Sequence, residues 1–253
     1  MKEVVVIIPI YQSKFTKSEW LSLHQGFKIL SKHPICILHP KGLDIKQLED
    51  KFEFDSKAVD PKYFGSIKAY NDLCLSKTFY SLFKDYKYML IYQTDVVVFK
   101  DDLLEWTNKN YDFVGAPWLN SFWLIWHNII LKDGIINGLQ ALFGSRIYNA
   151  VGNGGFSLRK VSSFLEAFEL AGTERIKWKS NEDYFWGVFA ENKKGAFSLP
   201  SGKEALDFSM ETSPKLALKN NNGNLPFGLH AWEKFDSSVW ETKIEKIKKS
   251  LNL

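Results

Sequence analysis

Cysteine is scarce in this chain of 253 residues, which contains only Cys36 and Cys74. No Cys-x-x-Cys spacing occurs, so the sequence does not indicate a disulfide framework. We therefore expect reduced thiols and a cytoplasmic location.

Long apolar runs are also absent. Residues 4–8 are apolar, but this run is too short for the core of a signal peptide and Pro9 follows it, so we expect a first strand there. Residues 122–131 form the most apolar segment. His127 and Asn128 interrupt it, so it cannot span a bilayer.

Charge of one sign is not concentrated in the chain either. The net charge is only +4, and the lysines are spread out except near the C-terminus. A nucleic-acid track would need a dense basic stripe. The composition therefore favours a small anionic ligand or an anionic surface over nucleic acid.

The most informative stretch that is present covers residues 88–99, Tyr-Met-Leu-Ile-Tyr-Gln-Thr-Asp-Val-Val-Val-Phe. Such a short β-branched and aromatic run is typical of a strand buried on both faces of a parallel sheet. Asp95 interrupts it, and a buried carboxylate is costly unless a cation or several donors meet it. We therefore expect Asp95, like Tyr11, to lie in a ligand crevice beyond the carboxyl ends of the strands. The alternative is a structural Asp closing a turn between two short strands.

Strand and helix patterns alternate through the first hundred residues, which predicts an α/β fold with a mostly parallel sheet and right-handed crossovers. The predicted strands cover residues 4–11, 34–38, 52–59 and 88–99. The predicted helices cover residues 18–30, with Ser18 as N-cap, residues 41–51, and an apolar periodicity over residues 67–83. Later, residues 113–118 predict a strand, and a helix carrying Phe164 and Phe168 is expected to end at Gly172.

Three polar clusters surrounded by aromatic residues mark the second half. They are Gly-Asn-Gly-Gly at 152–155, Asn-Glu-Asp at 181–183 and Phe-Gly-Leu-His at 227–230. Together with Gln-Thr-Asp at 93–95, and in this order, they resemble a nucleotide-sugar-dependent glycosyltransferase of the GT-A fold. More narrowly, they are similar to a family of bacterial and fungal glycosyltransferase-like proteins known as a domain of uncharacterised function. The resemblance covers about residues 4–235 and implies a single GT-A-like, Rossmann-like domain.

The resemblance implies a divalent metal, Mn²⁺ or Mg²⁺, bridging the donor's pyrophosphate. Asp95 matches the last acid of the family's Asp-x-Asp motif, whereas Gln93 replaces the first acid, so we expect weak metal binding or none. A hard cation suits this chemistry because it stabilises the charge on the departing nucleoside diphosphate. His230 matches a late histidine that completes the metal or phosphate site, and the alternative is an ordinary hydrogen-bonded histidine.

The glycine turn is the second predicted part of the donor site. Gly154 and Gly155 remove side chains where a sugar must approach the backbone, and Asn153 can offer its amide to a hydroxyl. The alternative is a tight turn with Asn and Gly at positive φ. The other expected donor-site residues are Pro9, Tyr11, Lys68, Asn71, Gln93 and Thr94.

Glu182 and Asp183 are the carboxylates predicted to carry the chemistry. By resemblance to the Glu-Asp motif of inverting GT-A enzymes, Asp183 is the base that takes the acceptor's proton and Glu182 positions the acceptor. The alternative is a helix start, where acids favour the first turn and Ser180 or Asn181 caps it. The residues expected to bind the acceptor are Trp118, Tyr184 and Trp186, although aromatic residues also form core and pocket walls.

These features predict transfer of a sugar, with inversion, from a nucleotide sugar to a glycan, glycolipid or other hydroxyl acceptor, in polysaccharide or glycoconjugate synthesis. The alternative is a catalytically silent carbohydrate- or nucleotide-binding protein of the same fold. A metal-dependent phosphohydrolase is less favoured, because one Asp and one His are too few for a two-metal site. We expect a single domain over residues 1–253. Within it, residues 1–100 bind the donor, residues 101–235 bind the acceptor and residues 236–253 form a basic helix. The sequence leaves a homo-oligomer open.

Two apolar segments predict contact with the inner face of a membrane. Residues 120–145 are rich in Trp, Phe, Ile and Leu, and the C-terminal pattern sets Trp240, Ile244, Ile247 and Leu251 beside several lysines. This pattern suits an interfacial helix. The alternatives are packing on the domain and a dimer interface.

Overall fold

The structure is a computed structural model. It describes residues 1–119, 151–172, 178, 181–192 and 197–253. The apolar segment 120–145 and the candidate cap Ser180 lie outside the described residues. Within these ranges, none of the helices combines the length and apolar character needed to cross a bilayer.

The strands in the described ranges are β1 (Lys2–Pro9), β2 (Ile35–Pro40), β3 (Asp55–Val59), β4 (Tyr86–Tyr92), β5 (Val97–Val98), β6 (Phe113–Val114), β7 (Phe156–Lys160), β8 (Ser209–Met210) and β9 (Gly228–Leu229). The α-helices are α1 (Lys17–Ile29), α2 (Lys46–Glu49), α3 (Ile67–Cys74), α4 (Lys77–Ser81), α5 (Leu103–Asn108), α6 (Val161–Ala171), α7 (Glu182–Asn192), α8 (Gly202–Phe208), α9 (Pro214–Asn220) and α10 (Glu241–Leu251). Short 3₁₀ turns cover Pro61–Tyr63 and Ser237–Val239.

Six strands form the main sheet, in the order β3-β2-β1-β4-β7-β6. The first four of these are parallel, β7 runs antiparallel to β4, and β6 runs antiparallel to β7. This arrangement confirms the predicted α/β fold with a mostly parallel sheet. A second, small sheet has the order β5-β9-β8. The carboxyl ends of the parallel strands face the edge where ligands bind in such sheets.

The central strands are buried on both faces. Val5 and Ile7 of β1 belong to one apolar cluster, and Val4, Val6 and Ile8 belong to the cluster on the other face. A parallel strand covered on both sides needs this continuous apolar run rather than an alternating one. The sheet is therefore a rigid support for the loops at its carboxyl edge.

Three helix predictions needed correction. The helix predicted over residues 41–51 is limited to α2, because Gly42 has a positive φ of 86° in the turn before it. The N-cap of α1 is Thr16 rather than Ser18. The Glu19 amide donates to Thr16 Oγ1 (3.2 Å) while the Thr16 amide donates to Glu19 Oε2 (2.7 Å), which makes a capping box. The periodicity over residues 67–83 is divided between α3 and α4, because Ser76 Oγ accepts a bond from the Phe79 amide and starts a new helix.

The C-terminal helix α10 packs against the rest of the chain. Trp240, Ile244 and Ile247 are buried in one cluster with Leu21 of α1. Lys28 of α1 also donates to the Ser250 carbonyl (3.0 Å). The apolar face of α10 is therefore covered by the protein itself, which is the alternative that the sequence left open.

Candidate active site at the carboxyl edge of the sheet

The stretch predicted as one strand over residues 88–99 is divided at its polar centre. β4 ends at Tyr92, the Val96 amide donates to the Gln93 carbonyl (3.0 Å), and the chain continues as β5 in the small sheet. Asp95 thus lies in a turn between two strands and also beyond the carboxyl end of β4. Both interpretations of Asp95 hold together, because the turn brings the carboxylate to the crevice.

The glycine turn is hydrogen-bonded to this first motif. The Gln93 amide donates to the Gly155 carbonyl (2.9 Å). Asn153 has a positive φ of 79°, and its Oδ1 accepts from the Gly155 amide (3.1 Å). Its Nδ2 is buried without a hydrogen-bond partner among the described residues. One end of the amide therefore closes the turn, and the other end is the group available to a hydroxyl.

The two glycines are required by close approach rather than by φ, since neither has a positive φ. A Cβ on Gly154 would overlap Glu182 Oε1, and a Cβ on Gly155 would overlap the imidazole of His230. The glycine turn therefore lies between the acidic motif and the late histidine, which come from distant parts of the chain.

His230 is held between two carboxylates. Its Nε2 lies 3.2 Å from Asp95 Oδ1, and its Nδ1 lies 3.1 Å from Glu211 Oε1. Burial by itself lowers the pKa of His230, but the two acids outweigh burial and raise it to about 10. The Asp95 side chain is 49% exposed, so its desolvation is partial. This partial desolvation raises the pKa of Asp95, and His230 outweighs it, so the pKa of Asp95 is lowered. Glu211 was missed from the sequence, because no strand was predicted over Ser209–Met210 and Glu211 does not interrupt an apolar run as Asp95 does.

A divalent cation fits part of this cluster. His230 Nε2 is buried and makes no directional hydrogen bond, although Asp95 lies close enough for an ionic contact. Among the described residues, however, no three His, Cys, Asp or Glu side chains surround a common metal position. Asp95 and His230 could therefore supply one oxygen and one nitrogen ligand. The remaining oxygens would come from water and from the phosphates of a ligand.

Glu182 is anchored inside the protein by Arg159 of β7. Its two oxygens lie 2.7 and 3.0 Å from the two Arg159 Nη atoms, and this bidentate pair is almost fully buried. Arg159 also donates to the Tyr80 hydroxyl (2.8 Å) and to Ser157 Oγ (3.0 Å). Both Glu182 oxygens are thus engaged inside the protein and are not available to the acceptor that Glu182 was predicted to position. Arg159 was missed from the sequence, because it stands between Leu158 and Lys160 and no apolar pattern marks it as buried.

Asp183 lies beside this pair and is half-buried. Its Oδ2 accepts from the Gly154 amide (3.0 Å) and its Oδ1 from the Tyr184 amide (2.7 Å). Burial and the neighbouring charge of Glu182 raise the pKa of Asp183 to about 6, against the opposing effect of the two amides. Asp183 can therefore exchange a proton near neutral pH.

The acidic motif is also a helix start, as the alternative interpretation had it. Glu182 and Asp183 form the first turn of α7, where acids are favourable. Asn71 of α3 accepts from the Glu182 amide through Oδ1 (3.1 Å) and approaches Asn181 through Nδ2 (3.4 Å). The structure thus connects Asn71 to the acidic motif.

Lys68, one turn earlier in α3, is exposed and pairs with Asp72 (2.8 Å). No contact among the described residues joins Lys68 to the four motifs. Its place in the donor site therefore stays a prediction.

The end of β1 reaches the same corner as Asp95. Pro9 is buried, whereas Tyr11 is 57% exposed. Burial, followed by the charges of Glu19 and Asp95, raises the pKa of Tyr11. Thr94 Oγ1 donates to Glu19 Oε1 (3.2 Å), which connects the Gln-Thr-Asp turn to the start of α1. The exposed Tyr11 side chain is therefore near enough to Asp95 for the charge of Asp95 to act on its hydroxyl.

The predicted acceptor aromatics have different surroundings. Trp186 is completely buried and packs against Phe164 and Phe197, so no face of its ring is left for a sugar. Tyr184 is buried as well, and its ring centre lies 5.9 Å from that of Trp118. Trp118 keeps part of its surface exposed and is the member of this set that can still contact a ligand.

Comparison with known proteins identifies the fold. No curated protein matches the chain. Galactosyltransferase LgtC, in a structure with donor and acceptor sugar analogs, matches with a TM-score of 0.56 at 13% identity, over 98% of this chain and 96% of that chain. Mouse xyloside xylosyltransferase 1 matches with a TM-score of 0.53 at 10% identity, over 90% of this chain and 97% of that chain. At these identities the likeness shows the fold alone, and that fold is of the GT-A type, as predicted.

The family described as "Protein of unknown function (DUF5672)" matches residues 53–230. This range covers most of the chain and includes all four motifs. The chain therefore belongs to the DUF5672 family.

Proposed function

We propose that this protein transfers a sugar from a nucleotide-sugar donor to an acceptor hydroxyl. The main support for this proposal is that four motifs, which lie between Gln93 and His230 in the sequence, meet at the carboxyl edge of the sheet. Asp183 bonds to one side of the glycine turn, and His230 with Asp95 contacts the other side. A proton acceptor and a diphosphate site on opposite sides of a bare stretch of backbone suit a sugar bound between them.

The donor is proposed to bind with its nucleoside toward Tyr11, its diphosphate toward Asp95 and His230, and its sugar over Gly154 and Gly155. Exposed Tyr11 offers a ring for stacking. The glycines allow the sugar to approach the backbone. Asn153 directly precedes them, and its Nδ2 is a buried donor without a partner among the described residues.

In the proposed reaction, the acceptor oxygen attacks the anomeric carbon while the bond from that carbon to the diphosphate breaks. The electron pair of the broken bond goes to the diphosphate oxygen, and the acceptor's proton goes to Asp183. Attack opposite the leaving group inverts the anomeric centre. A divalent cation held by Asp95 and His230 together with the phosphates would stabilise the departing charge. Glu182 is held inside the protein by its pair with Arg159, and its charge raises the pKa of Asp183.

A panel of nucleotide sugars tests this proposal. We expect at least one donor to be turned over with release of nucleoside diphosphate, faster when a sugar acceptor is present. Tight binding of a nucleotide sugar without turnover would instead support the silent binding protein. A protein that neither binds nor turns over any nucleotide sugar would contradict both.

Asp95→Asn tests the diphosphate site. We expect Mn²⁺ or Mg²⁺ to bind the wild type weakly alone and more tightly with nucleoside diphosphate, because the phosphates add oxygen ligands. In Asp95→Asn this mutual strengthening should be lost. Calorimetry with metal and with chelator measures it.

The matched control is Asp85→Asn, since Asp85 is exposed and precedes β4 at the amino end of the strand that Asp95 follows. It should bind metal and nucleotide like the wild type. Equal nucleotide affinity of the wild type with metal and with chelator would rule out a metal-assisted site.

A further inference from the structure

We propose that Glu211 is a positioning residue that orients the His230 imidazole, so that Nε2 faces Asp95 and the diphosphate site. The effect on ligand binding rests on the proposed function, whereas the effect on the ring does not. Glu211 acts through His230 and is not proposed to touch the donor.

The small sheet fixes the spacing of the two side chains. β8 and β9 are parallel neighbours with Met210 opposite Leu229, so the next residue on each strand, Glu211 and His230, leaves the sheet at the same level. The His230 amide also donates to the Met210 carbonyl (3.2 Å). Adjacent strands lie about 4.8 Å apart, which brings such side chains within contact distance.

The two side chains share a site that is largely closed to water. The exposed fraction of the side chain is 13% for His230 and 16% for Glu211, and Nδ1 lies 3.1 Å from Glu211 Oε1. On its other side the ring meets Asp95, and it packs so closely on Gly155 that a Cβ there would overlap it. The ring is thus held by Glu211, Asp95 and the glycine turn.

The hydrogen bond to Glu211 determines which ring nitrogen is available. A carboxylate accepts only, so Nδ1 must carry a proton toward it. When the ring binds a cation through Nε2, the proton that remains stays on Nδ1, which is the usual effect of an outer carboxylate on a ligating histidine. Nε2 is the buried nitrogen that has no directional hydrogen bond in the structure. Glu211 therefore keeps Nε2, rather than Nδ1, on the side of the proposed site, where a cation would take the place of the Nε2 proton.

In the proposed site, Glu211 acts beside a turn in which Gln93 stands where the resemblance implies an acid. The Gln-Thr-Asp turn has no carboxylate at position 93, whereas Glu211 places one directly after β8. It does not replace the lost ligand, because it lies on the Nδ1 side of the ring. It strengthens the ligand that remains by orienting His230.

Glu211→Ala and Glu211→Gln test this inference, with Glu204→Ala as the control. Glu204 is a glutamate of α8 that pairs with Tyr111 and Lys109 instead of a motif residue. The first measurement is the ¹⁵N NMR spectrum of the His230 ring in ligand-free protein, assigned with His230→Gln. The second is the affinity for nucleoside diphosphate in Mn²⁺.

In Glu211→Ala we expect the hydrogen-bonded Nδ1 proton signal to disappear and the affinity to fall about tenfold, the lower end of effects seen for outer partners of metal ligands. Glu211→Gln keeps the size of the side chain and an accepting oxygen. It should retain the Nδ1 proton with a weaker hydrogen bond and most of the affinity. Glu204→Ala should match the wild type in both measurements.

An unchanged His230 ring in Glu211→Ala overturns the inference, and so does a changed ring with wild-type affinity. If Glu211→Ala does not fold, an Nδ1 proton signal in Glu211→Gln identical to that of the wild type overturns it. If the ring responds as expected but the wild type binds no nucleotide, positioning is supported and the proposed function fails instead.

Discussion

Arg159→Met is expected to lower the free energy of unfolding by about 3 to 5 kcal/mol, the cost of breaking a buried ion pair from one side. The exposed fraction of the two paired side chains, Arg159 and Glu182, is 0% and 3%. Removing the guanidinium would leave the Glu182 carboxylate buried without a counter-charge and the Tyr80 hydroxyl without its donor. Urea unfolding, with m-values compared to establish that the same surface is exposed, measures the loss.

A double-mutant cycle separates the ion pair from general damage. Glu182→Gln should also destabilise, whereas the double variant Arg159→Met with Glu182→Gln should recover much of the loss, because no uncompensated buried charge remains. Lys68→Met is the control, since it breaks a pair whose side chains are 79% and 53% exposed and should cost less than about 1 kcal/mol. If Arg159→Met is no less stable than Lys68→Met, the buried pair is not important for stability.

Asp183→Asn is expected to lower sugar transfer by about a hundredfold or more, the usual contribution of a general base. Asn keeps the shape and can accept from one of the two amides that donate to Asp183, but it cannot take the acceptor's proton. Donor affinity should hardly change. Asp95→Asn should fail differently, through weaker donor binding, so nucleotide calorimetry beside transfer rates distinguishes the two roles.

The pH dependence gives a second measurement of the same residue. A base must be ionised to act, and burial with the charge of Glu182 raises the pKa of Asp183 to about 6. Transfer by the wild type should therefore rise with pH through about 6 and level off above it, and Asp183→Asn should lack this rise. Near-normal turnover of Asp183→Asn would mean that another group is the base, and NMR of a product with retained configuration would contradict inversion.

The sequence by itself predicted the elements whose causes are local. Continuous apolar runs predicted strands buried on both faces, and both β1 and β4 are such strands. Asp95 was noticed because a carboxylate conflicts with an apolar strand. The GT-A fold was implied by the resemblance that the four motifs carry. The correct cap, Thr16, was also predictable, because Glu19 stands three residues after it as a capping box requires.

Only the tertiary structure decided which side chains meet. Arg159 pairs with Glu182 because β7 and the start of α7 approach each other, and Glu211 meets His230 because β8 and β9 are in register. Trp186 is buried although it stands only three residues after Asp183 in α7, because Phe164 of α6 and Phe197 pack against its ring. Contacts between residues far apart in sequence depend on strand register and helix packing, and no periodicity within a single segment carries that information.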